Sequence, residues 1–128
     1  MKMAVKRYRI QSRHYLENAF VAIKAGDLEK ASEFIWGSMA QALKAVAASK
    51  KIQIRSHKQL RDYARELARV LNDKTIRDSF ERAQSLHNNF YESGLLLEDV
   101  VVGAEDIRRT VAKLLSLIAK EKSERKES

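Results

Sequence analysis

The chain has 128 residues, and its 25 lysine and arginine residues against 17 aspartate and glutamate residues give a formal net charge of +8. This length suits one domain with one hydrophobic core, and the absence of cysteine excludes disulfides, thiolate metal ligands and thiol nucleophiles. The positive charge favours phosphate-bearing or other acidic partners, although the same balance is typical of a solvated, highly charged surface.

Apolar residues recur at helical spacing along the chain and proline is absent, so the sequence predicts an all-α fold of about five helices. The first helix is predicted to run from Lys2 to Ala25. Gly26 can then take the left-handed conformation that ends a helix, and Asp27 can cap the next one. The first two helices are therefore predicted to form an antiparallel hairpin.

The second helix is predicted from Leu28 to Ala48, and it is rich in small residues that let it lie close to its neighbours. Its predicted inner stripe is Leu28, Ala31, Ile35, Met39, Ala42 and Val46. Trp36 lies beside this stripe, where it suits a second helix contact, either within the chain or between subunits.

A basic connector follows at 49–55, and Ser56 with Gln59 forms a capping box for a third helix that ends near Leu71. Asn72-Asp73 caps the fourth helix, which Gly94 ends, and the fifth begins near Glu98. The predicted inner face of the fourth helix is Ile76, Phe80, Ala83, His87 and Phe90; that of the fifth is Val100, Ala104, Ile107, Val111, Leu114 and Ile118. The single domain is predicted to span 1–122, with a charged tail at 123–128 that frays.

The positive charges are concentrated in two stretches of the chain. No acidic residue precedes Glu17, and the cations from Lys6 to Arg13 fall in that stretch. None occurs between Glu33 and Asp62, where six cations form a predicted phosphate-binding surface: Lys44, Lys50, Lys51, Arg55, Lys58 and Arg61. The run of sequence that holds these six contains no phenylalanine, tyrosine or tryptophan, residues that are typical of single-strand binding surfaces.

The stretch from Gly26 to Ala47, together with that from Ala83 to Glu92, resembles the archaeal PaREP-type branch of the HEPN superfamily. The resemblance implies an up-and-down helical bundle that often dimerises. It also implies that some members pair with minimal nucleotidyltransferases and that others are metal-independent ribonucleases. For the archaeal branch itself, the resemblance implies no activity.

The ribonuclease members use an arginine and a histidine with four to six residues between them, usually with a polar residue directly after the arginine. Arg82 and His87 fit this range, but residue 83 is alanine, and Arg9 with His14 and Arg7 with His14 fit the range too. Five positions along a helix rotate a side chain by about 140°. Arg82 and His87 are therefore predicted to point to different faces unless the helix breaks or a second subunit completes the site.

Two interpretations of the residues around His87 stay open. In one, His87, Asn88 and Tyr91 line a polar pocket; in the other, His87 is a core or interface histidine and its neighbours form an ordinary helix end. No motif for a metal, a nucleotide phosphate loop or another cofactor is present, so we expect no metal and no cofactor. Neither a signal peptide nor a membrane span is predicted, so the expected location is the cytoplasm.

The function that the sequence favours is a non-enzymatic binding module. We expect a homodimer whose basic surface contacts RNA, nucleotide phosphates or an acidic protein partner. The first alternative is a metal-independent endoribonuclease, in which His87 transfers protons and Arg82 stabilises the phosphate. The second is a structural or regulatory subunit that covers a nucleotidyltransferase partner.

Overall fold

Five helices account for most of the chain. The computed structural model describes the backbone of residues 2–127 and the side chains of residues 2–88 and 94–118. Within this part the chain forms a helical bundle without strands, as the sequence predicts. The helices are α1 (Lys2–Lys24), α2 (Leu28–Ser49), α3 (His57–Val70), α4 (Lys74–Ser93) and α5 (Leu97–Glu127). The tail at 123–128 that is predicted to fray lies outside the described side chains.

The corner between α1 and α2 has the predicted construction. Gly26 has a φ of 76°, in the left-handed region that glycine adopts without strain. The amide of Asp27 donates to the carbonyl oxygen of Ala22 at 2.9 Å and closes the end of α1. The carboxylate of Asp27 then accepts from the amide of Lys30 at 3.1 Å and caps α2. The chain therefore reverses within three residues.

Helices α1 and α2 cross at very short range. Ser12 and Ser38 are both fully buried at the crossing, and each hydroxyl donates to the carbonyl oxygen of the other residue at 2.8 Å. Beside them, a Cβ atom built on Gly37 would lie 2.9 Å from the ring of Tyr15. The small residues that the sequence places on α2 are therefore needed for this close approach.

Helix α2 is the central element of the core, because it contacts all four of the other helices. Five of the six residues of its predicted stripe are fully buried, and Leu28 is partly buried. Every residue of the predicted inner face of α5 is buried as well. On α4, Ile76, Phe80 and Ala83 are buried, His87 is half-buried, and Phe90 lies outside the described side chains.

Helices α4 and α5 form a second antiparallel pair. Gly103 of α5 lies against Leu86 of α4 so closely that a Cβ atom there would collide with the end of the leucine side chain. Further along, the hydroxyl of Ser79 lies 2.7 Å from that of Thr110 and donates to Asp106 at 3.1 Å. The polar side chains at the contact between α4 and α5 are thus hydrogen-bonded to each other across it.

The junction of α3 and α4 is tied to α5 through Asp73. Its carboxylate accepts from the amide of Thr75 at 3.1 Å, which caps α4, and from the ammonium group of Lys113 at 2.8 Å. The hydrogen bond from Lys113, followed by those from Thr75, holds the pKa of Asp73 below its ordinary value of 3.8. This residue therefore joins three helices.

The first prediction concerns the α1–α2 crossing. We expect Ser12→Ala to change the free energy of unfolding little, because the hydrogen bond that it removes is worth about 1 kcal/mol and the gain in helix propensity offsets about half of it. Ser12→Leu should destabilise the protein by at least about 2 kcal/mol more, because the crossing has no room for the larger side chain. Urea unfolding measures both variants. Ser116→Leu, at an exposed site, is the control, and equal stability of Ser12→Leu and Ser12→Ala would contradict the close crossing.

The second prediction concerns Asp73 and pH. Asp73→Asn keeps a capping side chain but removes the charge, so the wild type should be more stable at pH 7 by less than about 1 kcal/mol, because Lys113 is half exposed. The folded pKa is lowered, so this advantage is complete above the unfolded pKa and disappears as the pH falls through the folded pKa. Urea titrations between pH 7 and pH 2 measure it. In a Lys113→Gln background, the pH-dependent part of the stability difference between chains with and without Asp73→Asn should shrink. A stability difference that does not vary with pH would contradict a stabilising role for the charge of Asp73.

Candidate nucleic-acid interface

The basic connector begins at the end of α2. The amides of Lys50 and Ile52 both donate to the carbonyl oxygen of Ala47, at 3.0 and 2.9 Å, and Lys51 has a φ of 61°. This turn leaves the side chains of Lys50 and Lys51 exposed at the carboxyl end of α2. Positive charge at that end also complements the helix dipole, so the two lysines stabilise α2 whether or not they bind a ligand.

The start of α3 holds the rest of the connector in place. The hydroxyl of Ser56 accepts from the amide of Gln59 at 3.1 Å, as the capping box predicts. The side chain of Gln59 reaches back one residue further than in the usual box and accepts from the amide of Arg55 at 2.7 Å. The guanidinium group of Arg55 donates to Gln53 at 2.8 Å. The backbone of Arg55 is thus fixed while its side chain stays at the surface.

The six predicted phosphate-binding residues differ in exposure. Lys50, Lys51, Arg55 and Lys58 are exposed, whereas Lys44 and Arg61 are half-buried. Lys58 donates to Asp62 at 3.0 Å, so part of its charge is compensated. The Nε atom of Arg61 is buried and has no hydrogen-bond partner in the described part of the chain. We call the exposed set of Lys50, Lys51, Arg55 and Lys58 the connector surface.

An aromatic cluster borders the connector surface. The ring of His57, between Arg55 and Lys58 in sequence, stacks on Trp36 with 5.1 Å between ring centroids and 22° between planes. Trp36 also contacts Phe80 at 5.3 Å. His57 is exposed, and its ring lies 2.9 Å from the amide nitrogen of Gln84 on α4. The fold therefore brings the ring of Trp36 to a basic segment that itself contains no phenylalanine, tyrosine or tryptophan.

Sequence reasoning missed this cluster because Trp36, His57 and Phe80 belong to three different helices. Two signals pointed toward it. Trp36 lies off the inner stripe of α2, and His57 is an aromatic ring inside the basic run. The contact that Trp36 covers lies within the chain, against α3 and α4, in agreement with one of the two predicted possibilities.

The structure does not bring Arg82 and His87 together within one chain. Arg82 points toward α5, where its Nε atom lies 3.7 Å from a carboxylate oxygen of Asp106. His87 points toward α2, where its ring stacks on Trp36 at 5.9 Å. The helix is continuous between them, so the rotation of about 140° puts the two side chains on different faces.

His87 is half-buried, and its Nδ1 atom is buried without a hydrogen-bond partner among the described residues. Asn88 is exposed, and the side chain of Tyr91, the third residue of the predicted polar pocket, lies outside the described residues. In the part of the chain that is described, no group of three or more histidine, aspartate or glutamate side chains is arranged to hold a metal ion.

The other basic stretch lies along α1. A groove of about 520 Å³ there is lined by Lys2, Met3, Val5, Lys6, Arg9, Ile10 and Arg13. It combines four cations with the exposed apolar side chains of Met3 and Ile10. Among the helices described, none has a stretch long and apolar enough to cross a lipid bilayer.

Comparison with known proteins identifies the family but no activity. No curated protein matches the chain significantly. The crystal structure of a protein from Sulfolobus solfataricus is similar to this fold with a TM-score of 0.69 and 22% sequence identity, over 86% of this chain and 94% of that one. The family model for the archaeal PaREP1/PaREP8 family matches residues 7–111. The chain therefore belongs to the archaeal PaREP1/PaREP8 family.

Proposed function

We propose that this chain is a HEPN-like helical module of the cytoplasm that binds single-stranded RNA on the connector surface as a homodimer. One observation carries the proposal: His57, which lies in sequence between Arg55 and Lys58 of the connector surface, stacks on Trp36. Single-strand binding surfaces combine cations that follow the phosphate backbone with aromatic rings on which bases stack. The connector surface and its neighbouring rings supply both kinds of group.

The homodimer part of the proposal is supported by two exposed apolar patches, one flanked by acidic residues and the other by basic residues. Leu96, just before α5, and Leu97 and Val102 at its start are exposed, and Glu98 and Asp99 lie among them in sequence. The groove on α1 exposes apolar side chains among four cations. A second copy of the chain offers a complementary partner to each patch. Sedimentation equilibrium at the protein concentrations of the RNA assay tests this part.

A second candidate function is metal-independent cleavage of RNA. The observation that favours it is the Nδ1 atom of half-buried His87, which no hydrogen bond to a described residue occupies, so that no described group holds this ring nitrogen. Because Arg82 of the same chain faces α5, the phosphate-stabilising cation would have to come from another residue or from a second subunit. Checking the integrity of the RNA after every binding measurement in chelator separates this function from binding alone.

The third prediction concerns the connector surface. The triple variant Lys50→Ala, Lys51→Ala, Arg55→Ala should weaken binding of a labelled single-stranded RNA at least about tenfold near 0.1 M salt. The slope of log affinity against log salt should flatten by about 2, because each phosphate of a single strand that a cation neutralises contributes about 0.7 to that slope. Fluorescence anisotropy across a salt series measures both quantities.

The matched control is the triple variant Lys24→Ala, Lys30→Ala, Arg109→Ala. Its three residues are exposed and lie outside the connector surface, and their removal also lowers the net charge from +8 by three. If the affinity falls equally in both triple variants, binding depends on net charge alone and the proposed surface is wrong. Absence of RNA binding by the wild type would turn the search to protein partners, including a nucleotidyltransferase.

The fourth prediction concerns the aromatic part of the surface. His57→Ala should weaken RNA binding at least about fivefold, because one base stacked on a ring contributes on the order of 1 kcal/mol or more. The salt dependence should stay unchanged, because the substitution leaves every cation of the connector surface in place. His57→Phe is the control that keeps an aromatic ring and should retain most of the affinity. A flattened salt slope in His57→Ala would contradict the stacking role.

A further inference from the structure

A cavity of about 450 Å³ lies between the last turns of α3 and the first turns of α4. The tight junction of the two helices forms it: Asn72 has a φ of 50°, and the amide of Asp73 donates to the carbonyl oxygen of Ala68 at 2.9 Å. The cavity is lined by Arg65, Ala68, Arg69, Asn72, Asp73, Lys74, Arg77 and Glu81. None of these residues belongs to the connector surface.

Four of the lining side chains are cations and two are carboxylates. One of the carboxylates, that of Asp73, is already neutralised by Lys113, which lies outside the lining. Arg69 is held by Glu66 and Arg77 lies 3.6 Å from Asp78, and neither acid lines the cavity. Arg65 and Lys74 are thus without an ion pair among the described residues, and Glu81 is the one lining carboxylate that opposes them, so the cavity keeps a small excess of positive charge.

The lining also restricts the chemistry of a ligand. Ala68 is its sole apolar side chain, and it contains no aromatic ring on which a base could stack. Guanidinium groups bind phosphate oxygens through two parallel hydrogen bonds, and three of the four cations are arginines. The volume falls within the range of small-ligand sites. These properties fit a compact, multiply charged phosphate compound better than a nucleoside.

We propose that this cavity is a binding site for a small ligand with two phosphate groups, held by Arg65, Arg69, Lys74 and Arg77. The site is independent of the proposed RNA-binding function, because the two share no residue. The amide groups at the amino end of α4 are not needed to bind this ligand, since the carboxylate of Asp73 already caps that end. The side chains of the four cations carry the recognition.

Isothermal titration of the wild-type protein with inorganic pyrophosphate, at constant ionic strength, tests the proposal. We expect saturable binding that Arg65→Gln combined with Arg77→Gln weakens at least about tenfold, because each arginine contributes charge-assisted hydrogen bonds. Both side chains are exposed, so the variant should fold, and circular dichroism verifies this. Lys74→Gln is a second variant that should also weaken binding if the double variant does not fold.

Two controls distinguish this site from general attraction to a basic protein. Lys30→Gln combined with Arg109→Gln removes the same charge elsewhere and should leave pyrophosphate binding unchanged. The triple variant of the connector surface should also bind pyrophosphate as the wild type does, whatever its effect on RNA. Absence of saturable binding by the wild type, or equal weakening in the cavity variant and the Lys30/Arg109 control, would overturn the proposal.

Discussion

The close contact of α1 and α2 is the constraint on which the rest of the bundle depends. Ser12 and Ser38 bond to each other's main chain, and Gly37 leaves just enough room for the ring of Tyr15. A larger side chain at any of these small positions would push the helices apart. Because α2 also contacts α3, α4 and α5, such a shift would be transmitted to every layer of the core.

The two sides of α2 have different packing. Toward α1, small side chains let the backbones approach and leave the polar groups paired. Toward α3 and α4, Trp36 fills a wider space and contacts Phe80, His57 and His87. One large aromatic residue thus sets the position of α3 against α2, and with it the position of the connector surface. The candidate interface is therefore a consequence of core packing as well as of surface charge.

The α3–α4 hairpin offers two basic surfaces of different chemistry. At the start of α3, exposed cations lie beside aromatic rings, a combination suited to a flexible strand with bases. At the other end, cations line a cavity that has no ring, a combination suited to compact anions. Glu66, Asp78 and Lys113 determine how much of the charge in the cavity is available. The overall charge of +8 alone would not distinguish these two environments.

The helices, their caps and their inner faces follow from the sequence, because they depend on residues three or four positions apart. Gly26, Asp27, Ser56 and Gly94 end or begin helices as predicted. Four of the six cations predicted to form a basic surface, Lys50, Lys51, Arg55 and Lys58, are exposed, whereas Lys44 and Arg61 of the same run are half-buried. The rotation between Arg82 and His87 follows from the helical repeat, and the structure confirms it.

Only the tertiary structure decided which distant residues meet. The stacking of His57 on Trp36 joins residues from two helices, and the cavity needs α3 and α4 side by side. Such contacts depend on how helices pack across long sequence separations, and no local pattern records them. The physical reason is that periodicity specifies which face of a helix is buried, whereas side-chain volumes across the core specify what that face touches.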